Sequence, residues 1–212
     1  MTVGLPHSKV FLIGVAGGSG SGKTTLCRAL TERSPDVSVL DLDAYYRDRS
    51  HLSPRERERL NFDEPAAFDA RLLAEHLGCL ARGQAIAKPV YSFVSHTRVG
   101  TERFAPGRFV LVEGLFSLWW EDLRRLWDLT VYVDATVDLR LDRRVRRDVA
   151  SRGRTVESVI AQYAETVRPM HERYVEPTRR HARVVLCNEG AIEAVLTPMM
   201  EALRRLNARG DG

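Results

Sequence analysis

A glycine-rich loop that ends in a lysine and two threonines is the segment of this chain best suited to chemistry. Residues 17–25 read Gly-Gly-Ser-Gly-Ser-Gly-Lys-Thr-Thr and match the pattern G-x-x-x-x-G-K-[ST]. An apolar run at 10–16 precedes the loop and a helical pattern follows it, which is the context that this pattern requires. The loop therefore predicts a binding site for a nucleoside triphosphate rather than an ordinary glycine-rich surface loop.

The loop residues would contribute to that site in different ways. Glycines let backbone N–H groups turn inward around a polyphosphate, and the following helix N-terminus adds partial positive charge. Lys23 can reach the β- and γ-phosphates, and the Thr24 hydroxyl can bind Mg²⁺. The predicted nucleotide contacts are Gly17, Gly18, Ser19, Gly20, Ser21, Gly22, Lys23, Thr24 and Thr25.

Two further apolar segments carry carboxylates at their carboxyl ends. Segment 109–113 ends in Glu113, and segment 37–42 is followed by Asp43, with Asp41 two residues before it. A strand-end acid beside a phosphate loop is a common second contact to Mg²⁺, and phosphoryl transfer to a hydroxyl needs a carboxylate to accept its proton. We predict Glu113 as the metal-site acid and Asp43 as the base, with Asp41 capping or pairing locally. The alternative is a strand-end carboxylate without a chemical role.

Two segments between residues 60 and 100 could bind an acceptor molecule. Asp63 lies in the polar turn 61–65, where a carboxylate either bonds its own backbone or accepts hydrogen bonds from two adjacent hydroxyls. Tyr91, Phe93 and His96 lie in a hairpin pattern, where they could stack on a flat base or simply pack within the hairpin. The residue types leave both pairs of alternatives open.

An arginine-rich helical segment follows at 137–152. By the 3.6-residue period, four arginines fall within about 100° of one face, and three apolar residues lie opposite. The arginines are Arg140, Arg143, Arg144 and Arg147, the apolar residues are Leu141, Val145 and Val149, and Arg152-Gly153-Arg154 follows. Mobile arginines can neutralise a transferring phosphoryl group and exclude water. We therefore predict an arginine-rich lid at 140–156, with Arg147 and Arg152 acting in catalysis. A solvated helix and a nucleic-acid contact helix are the alternatives.

The elements that must position these residues alternate between short apolar strands and amphipathic helices. This pattern predicts an α/β fold with a parallel sheet and helices on both faces. The predicted strands are 10–16, 37–42, 109–113, 129–134 and 183–187, and the predicted helices are 24–33, 120–127, 137–152, 156–170 and 192–206. Segment 44–106, which contains a capped turn at 53–56, a helix at 70–82 and the hairpin 89–104, is predicted to be a substrate-binding insertion beside the strand ends.

Composition limits the class of protein. A chain of 212 residues with 44% hydrophobic residues can form one domain, which we place at 1–207 with a disordered tail at 208–212. The formal net charge of +4 permits an anionic partner without requiring one. Three widely spaced cysteines (Cys27, Cys79 and Cys187) favour a reducing compartment. Because no apolar run approaches the roughly 20 residues of a membrane span, we expect a cytoplasmic protein without a membrane partner. We also expect no nucleic-acid partner.

Taken together, these segments resemble the uridine–cytidine kinase family of P-loop kinases, which is related to phosphoribulokinase. The resemblance extends from about residue 11 to residue 186 and depends on motifs that occur in order. They are the loop 17–25, Asp43-Ala44-Tyr45-Tyr46, the segments 61–69 and 89–98, Glu113-Gly114, 144–148, 152–154, Gln162-Tyr163 and 167–170.

The resemblance implies a function for each predicted site. It implies a kinase that transfers the γ-phosphate of ATP or GTP to the 5′-hydroxyl of uridine or cytidine, with Mg²⁺, in a chain that is typically a homotetramer. It implies that Asp43 activates the hydroxyl, that Asp63 binds the ribose with Phe62 beside it, and that Tyr91, Phe93 and His96 bind the pyrimidine. Arg144 and Gln162 match residues near the nucleoside, Arg147 and Arg152 match lid arginines, and Thr24, Asp43 and Glu113 match the magnesium surroundings.

One departure concerns the donor. After the last core strand the family often has Pro-Arg-Gly, with the arginine near the adenine, whereas this chain has Cys187-Asn188-Glu189-Gly190. The loss of that cation leaves both ATP and GTP as expected donors. The alternative functions are another P-loop kinase, acting on a sugar, a phosphosugar or a pantothenate-like alcohol, and a nucleotide-dependent nucleic-acid-binding protein.

Overall fold

A five-stranded parallel β-sheet forms the centre of the computed structural model, which describes residues 9–210. Its strands are β1 (Phe11–Ala16), β2 (Val37–Asp41), β5 (Phe109–Glu113), β6 (Leu129–Asp134) and β7 (Val184–Cys187), in the order β2-β5-β1-β6-β7. Each lies within one residue of its predicted bounds. Strands β1 and β5 are buried along their whole length, as expected for continuous apolar runs in a sheet covered on both faces.

Helices cover both faces of the sheet, which confirms the predicted α/β class. They are α1 (Lys23–Arg33), α2 (Pro54–Glu58), α3 (Ala70–Ala81), α4 (Glu121–Arg124), α5 (Val137–Arg152), α6 (Val156–Gln162), α7 (Arg168–Met170) and α8 (Glu193–Gly210). Alternate residues of the strands belong to two separate core clusters. Leu12 and Val110 pack with α3, whereas Ile13 and Leu111 pack with α1 and α8.

The register of the sheet brings three segments together at its carboxyl edge. Val15 of β1 lies opposite Glu113 of β5, and Asp41 of β2 lies opposite Glu113 on the other side. The glycine-rich loop leaves β1 directly after Ala16 and leads into α1. Because ligands of open α/β sheets bind beyond the carboxyl ends of the strands, this edge is where the predicted site must form.

The segment between β2 and β5 forms the predicted insertion beside this edge. It contains α2, α3 and an antiparallel hairpin of β3 (Ile86–Ser92) and β4 (Thr97–Phe104), which is longer than predicted. The predicted capping box is present, because the Ser53 backbone N–H donates to Glu56 Oε2 at 2.8 Å. Arg98 ties the hairpin to the rest of the insertion by donating from Nε to the Tyr46 carbonyl at 3.0 Å and from Nη2 to Asp69 at 3.2 Å.

The part of the chain after β5 differs from the sequence prediction in three places. The helix predicted at 156–170 continues as a chain of turns to His181, with π-helical turns at Tyr163–Val167 and His171–Val175 and a 3₁₀ turn at Glu176–His181. The helix predicted at 120–127 is the single turn α4. Helix α8 extends to Gly210, so residues 208–210 are helical rather than disordered, and residues 211–212 of the predicted tail lie outside the described residues.

Among residues 9–210, no helix combines the length and apolar character needed to cross a membrane.

Candidate active site

The glycine-rich loop is shaped by close contacts that exclude side chains. Gly20 and Gly22 have φ angles of 80° and 94°, in the left-handed region that favours glycine. A Cβ atom at Gly20 would lie 2.2 Å from the carbonyl oxygen of Arg140, and one at Gly22 would lie 2.1 Å from Asn188 Nδ2. The loop is therefore held between α5 on one side and the segment after β7 on the other.

Lys23 points back into this loop. Its Nζ donates to the carbonyl oxygens of Gly17 at 2.8 Å and Gly18 at 3.0 Å, and the residue is buried. Burial lowers the pKa of Lys23, and the negative charges of Glu113 and Asp43 act in the opposite direction. The ammonium group is thus already positioned beside the loop amides that would surround a polyphosphate.

Thr24 and Glu113 form the part of the site that suits a divalent cation. The Thr24 hydroxyl donates to Glu113 Oε1 at 2.7 Å, and Glu113 is buried at the end of β5. Within residues 9–210, no three His, Cys, Asp or Glu side chains form a ready-made metal cage. Mg²⁺ is usually bound by one or two protein oxygens together with substrate phosphates. A hydroxyl and a carboxylate in direct contact beside the loop fit that mode of binding.

Asp43 lies in a 3₁₀ turn, Leu42–Tyr45, directly after β2. Asp41 caps this turn by accepting a hydrogen bond from the Asp43 backbone N–H at 2.9 Å, which confirms its predicted local role. Burial, followed by the negative charges of Asp41 and Glu113, raises the pKa of Asp43 from 3.8 to about 8, while Lys23 and Arg152 oppose the shift. A carboxyl group with a pKa near neutral pH is suited to accept a proton in catalysis.

A single cavity of about 670 Å³ connects the loop and Asp43 to the insertion. All seven residues predicted to bind the acceptor line it, together with the two predicted lid arginines. These residues are Phe62, Asp63, Tyr91, Phe93, His96, Arg144 and Gln162, with Arg147 and Arg152. Six of the nine loop residues also line the cavity, and Gly17, Gly18 and Ser21 do not. The structure thus brings the predicted donor and acceptor residues into one space.

Aromatic rings form one wall of the acceptor end of the cavity. The rings of Phe62 and His96 are stacked with centroids 4.4 Å apart, and Tyr91 packs against Tyr46 at 5.1 Å. The Tyr91 hydroxyl is buried and has no hydrogen-bond partner among the described residues. Phe93 contacts Tyr46 and Tyr91 with its ring but is 52% exposed and lines the cavity, so part of its ring is open to a ligand. Flat apolar surfaces beside an unused hydroxyl suit a planar, polar ligand.

The turn that contains Asp63 leaves its carboxylate available to the cavity. The side chain that bonds the local backbone is that of Asn61, whose Oδ1 accepts from the Asp63 N–H at 2.9 Å. The Asp63 carboxylate accepts a hydrogen bond from Thr166 at 3.5 Å, in the first π-helical turn. Burial raises the pKa of Asp63, and the charge of Arg144 and the Thr166 hydrogen bond oppose it. This geometry favours a ligand contact over a purely structural turn.

Helix α5 buries part of its arginine face. Arg140 and Arg144 are buried, and Arg144 donates to Ser19 Oγ at 2.9 Å and to Gln162 Oε1 at 3.0 Å. The opposite face is more open, with Val149 exposed. A solvated helix therefore does not describe Arg140 and Arg144, and Arg144 links the phosphate loop to α6.

Comparison with known proteins agrees with this geometry. A family model described as "Phosphoribulokinase / Uridine kinase family" matches residues 12–191. The chain belongs to the phosphoribulokinase / uridine kinase family. Its relatives include a uridine kinase from Geobacillus sp. (strain WCH70), which is 46% identical over 201 residues and covers 93% of this chain and 95% of that relative. A uridine kinase from Deinococcus deserti is 48% identical over 201 residues, covering 93% and 97%.

A solved structure shares the fold of this chain. The phosphoribulokinase from Rhodobacter spheroides aligns with a TM-score of 0.64 at 17% identity, over 85% of this chain and 70% of that chain. At this identity the similarity shows the fold alone. The phosphoribulokinase / uridine kinase family is the one whose motifs the sequence carries, so the resemblance drawn from those motifs is confirmed.

Several residues of the site were missed by the sequence analysis. Tyr46 lines the cavity and donates from its hydroxyl to the Phe62 carbonyl at 3.1 Å, which positions the aromatic wall. Its place in the motif after β2 was the available signal. Arg143 and Arg154 also line the cavity and belong to the arginine run already recognised. Asn188 was recognised only as a departure near the donor base, and nothing in the local pattern indicated that it is buried and donates to the Ser21 carbonyl at 2.7 Å.

Proposed function

We propose that this chain is a uridine–cytidine kinase, which transfers the γ-phosphate of ATP or GTP to the 5′-hydroxyl of the nucleoside. The observation that carries the proposal is the single cavity in which the phosphate loop, the carboxylate of Asp43 and the aromatic wall face one another. Relatives named as uridine kinases at 46–48% identity over most of the chain support the same activity.

The donor would bind at the phosphate loop. Loop amides and Lys23 would hold the β- and γ-phosphates, after Lys23 exchanges its contacts with Gly17 and Gly18 for phosphate oxygens. Thr24 and Glu113, with Asp43 nearby, would hold Mg²⁺, which supplies positive charge to the phosphates when it is bound. Because Asn188 is committed to the Ser21 carbonyl, we expect weak discrimination between adenine and guanine at this position.

The acceptor would bind between Asp63 and the aromatic wall. Asp63 would accept hydrogen bonds from the two ribose hydroxyls, and His96 and Tyr91 would bind the polar edge of the pyrimidine, with Phe93 against its face. This places the 5′-hydroxyl towards Asp43. As the hydroxyl oxygen forms its bond to the γ-phosphorus, the bond to the β-phosphate oxygen breaks, the proton passes to Asp43, and the nucleoside diphosphate leaves.

The lid would act on the phosphoryl group during this transfer. Arg147 and Arg152 line the cavity and are partly exposed, so their guanidinium groups can reach the equatorial oxygens. Arg144 and Gln162 are hydrogen-bonded to each other at the junction of the donor and acceptor ends. We also propose a cytoplasmic location, which the composition of the sequence favours, and a homotetramer, which the family resemblance implies.

The proposal is tested by a substrate screen. Purified protein is supplied with Mg²⁺, with ATP or GTP, and with a panel of nucleosides, sugars, phosphosugars and pantothenate-like alcohols, and the phosphorylated product is measured. Saturable formation of UMP and CMP is expected. Turnover restricted to a compound that is not a nucleoside would contradict the proposal and would show that the chain is a kinase for a different small molecule. Salt-sensitive binding to RNA or DNA without such turnover would favour the nucleic-acid alternative.

The base is tested by Asp43→Asn, with Asp122→Asn as the control. Asp122 is an exposed carboxylate in α4, away from the cavity. We expect Asp43→Asn to keep ATP binding and to lose about 10²–10⁴-fold in turnover, the usual range for a general base. Full turnover in Asp43→Asn would remove Asp43 from that role.

A further inference from the structure

One fully buried carboxylate forms ion pairs with several arginines of the predicted lid. Asp148 lies near the end of α5 with its side chain 0% exposed. Arg147 Nε donates to Asp148 Oδ1 at 2.8 Å, and Arg152 Nη1 lies 3.4 Å from the same oxygen. Arg144 Nε and Arg154 Nη1 lie 3.6 Å and 3.9 Å from Oδ2. Four arginines, from both sides of the helix end, therefore share one counter-charge.

The backbone carbonyl of Asp148 fixes the turn that follows α5. Its carbonyl oxygen accepts from the N–H of Gly153, which has φ of 62° and ends the helix, and from the N–H of Arg154 at 3.3 Å. This left-handed cap reverses the chain directly after Arg152. Arg152 and Arg154 are thereby brought back towards the face of α5 that carries Arg144 and Arg147.

The electrostatic consequence is that Asp148 opposes the mutual repulsion of these guanidinium groups. Burial acts to raise the pKa of Asp148, but the Arg147 hydrogen bond and the charges of Arg147, Arg152 and Arg144 outweigh it and lower the pKa from its ordinary value. The carboxylate is therefore ionised at neutral pH. Without it, like charges a few ångströms apart would spread apart into solvent.

The arginines held in this way remain able to bind phosphate. Arg147 and Arg152 are 44% and 50% exposed and line the cavity that also contains Lys23 and Asp43. Arg147 donates to Asp148 through Nε and so still presents both terminal amino groups, which can bind phosphate oxygens in a fork. Arg152 approaches Asp148 through Nη1 and keeps Nη2 for a phosphate oxygen. Within residues 9–210, Asp148 Oδ2 accepts no hydrogen bond, so one lone-pair side of the carboxylate can still receive Arg144 or Arg154 when the cavity closes.

We propose that Asp148 is a positioning residue for phosphoryl transfer, because its buried carboxylate fixes the lid arginines at the place where charge develops on the transferring group. The inference rests on the proposed function only in that a phosphoryl group is transferred. It does not depend on which acceptor receives the group. It predicts an effect mainly on kcat, since charge at the phosphoryl oxygens changes during transfer.

The test compares Asp148→Asn and Asp148→Glu with Asp142→Asn. Asp142 is a matched control on the same helix, because it also accepts from an arginine Nε, that of Arg146 at 3.0 Å, but on the exposed side. We expect Asp148→Asn to lower kcat by about 10- to 1,000-fold, the range for loss of preorganised charge stabilisation. The KM values for ATP and acceptor should stay within about three-fold. Asp148→Glu should recover part of kcat, and Asp142→Asn should match the unsubstituted protein.

Thermal melting followed by circular dichroism separates positioning from folding. A folded Asp148→Asn protein with kcat within two-fold of the unsubstituted protein would overturn the inference, as would tighter ATP binding at unchanged kcat. If Asp148→Asn does not fold, Asp148→Glu decides, because it keeps the charge but moves the carboxylate, and an unchanged kcat there overturns the inference. If the substrate screen finds no nucleoside turnover, the proposed function fails by itself. The same variants are then measured on the acceptor that is found, or on hydrolysis of MgATP by water.

Discussion

Substitution of Gly22 by alanine tests whether the phosphate loop is braced by the segment after β7. Gly22 has a φ angle of 94°, and an added Cβ atom would lie 2.1 Å from Asn188 Nδ2. That nitrogen donates a buried hydrogen bond to the Ser21 carbonyl at 2.7 Å. The methyl group therefore introduces backbone strain and also displaces the amide that satisfies the loop.

Two separate costs give the expected magnitude. An alanine in the left-handed region costs about 1–2 kcal/mol, and a buried polar group left without its partner costs about 1–3 kcal/mol. Gly22→Ala should therefore lower the free energy of unfolding by about 2–5 kcal/mol. Gly153→Ala is the matched control, because its φ is 62° but no atom lies within 4 Å of the added Cβ. It should show the strain alone, about 1–2 kcal/mol.

A double-mutant cycle with Asn188→Ala then isolates the shared hydrogen bond. Both single substitutions break the bond from Asn188 to Ser21, so the double variant should be less destabilised than the sum of the two by about 1–3 kcal/mol. Urea unfolding followed by circular dichroism provides the free energies. Additive effects, or a Gly22→Ala cost equal to that of Gly153→Ala, would show that Asn188 does not brace the loop.

Four further predictions concern the site. If Asp43 is the base, kcat/KM should rise with pH through a midpoint near 8, because only the ionised carboxylate accepts a proton. Asp41→Asn removes a neighbouring negative charge and should therefore move that midpoint to lower pH. Since the folded-state pKa of Asp43 exceeds its ordinary 3.8, its contribution to stability is fully present below about pH 4 and is lost as pH rises through 8. The melting temperature of Asp43→Asn relative to that of the unsubstituted protein should therefore be higher at pH 9 than at pH 5. An equal difference in melting temperature at the two pH values would contradict the raised pKa of Asp43. His96→Ala and His96→Tyr should change the ratio of kcat/KM for uridine to that for cytidine, and an unchanged ratio would remove His96 from base selection. Glu113→Gln should raise the Mg²⁺ concentration for half-maximal turnover by about 10–100-fold, whereas the exposed Glu121→Gln should leave it unchanged.

The core of this fold could be predicted because the apolar pattern of each strand indicates how deeply that strand is buried. Segments 109–113 and 129–134 are apolar at nearly every position, and only strands covered on both faces require that pattern. The phosphate loop could be predicted equally well, since its function depends on glycine and lysine at fixed spacing. Asp43 and Glu113 followed from the rule that parallel strands place their carboxyl ends at one edge.

The buried face of helix α5 could not be predicted from the sequence. Its period separates an arginine face from an apolar face, and ordinary patterning would bury the apolar one. The structure buries Arg144 instead, because Ser19, 125 residues away in sequence, and Gln162 supply acceptors for its guanidinium group. Which face of a helix is buried depends on such distant partners, so the period alone could not decide it. The π-helical turns after α6 could not be predicted either, because local residue propensity does not distinguish a π-helical turn from α-helix.

The burial of the arginines changes along α5, and this gradient separates two roles within one helix. Arg140 and Arg144, in the first two turns, are buried against the phosphate loop, where an added Cβ atom at Gly18 would lie 2.1 Å from Arg140 Nη1. Arg147 and Arg152, in the last turns, are about half exposed. The first pair therefore fixes the helix to the donor site, whereas the second pair keeps freedom to move towards a bound phosphoryl group. Asp148 contacts Arg144 of the first pair and both arginines of the second pair. The carboxylate that holds the exposed arginines is therefore itself held by a buried arginine, which limits how far the exposed pair can move.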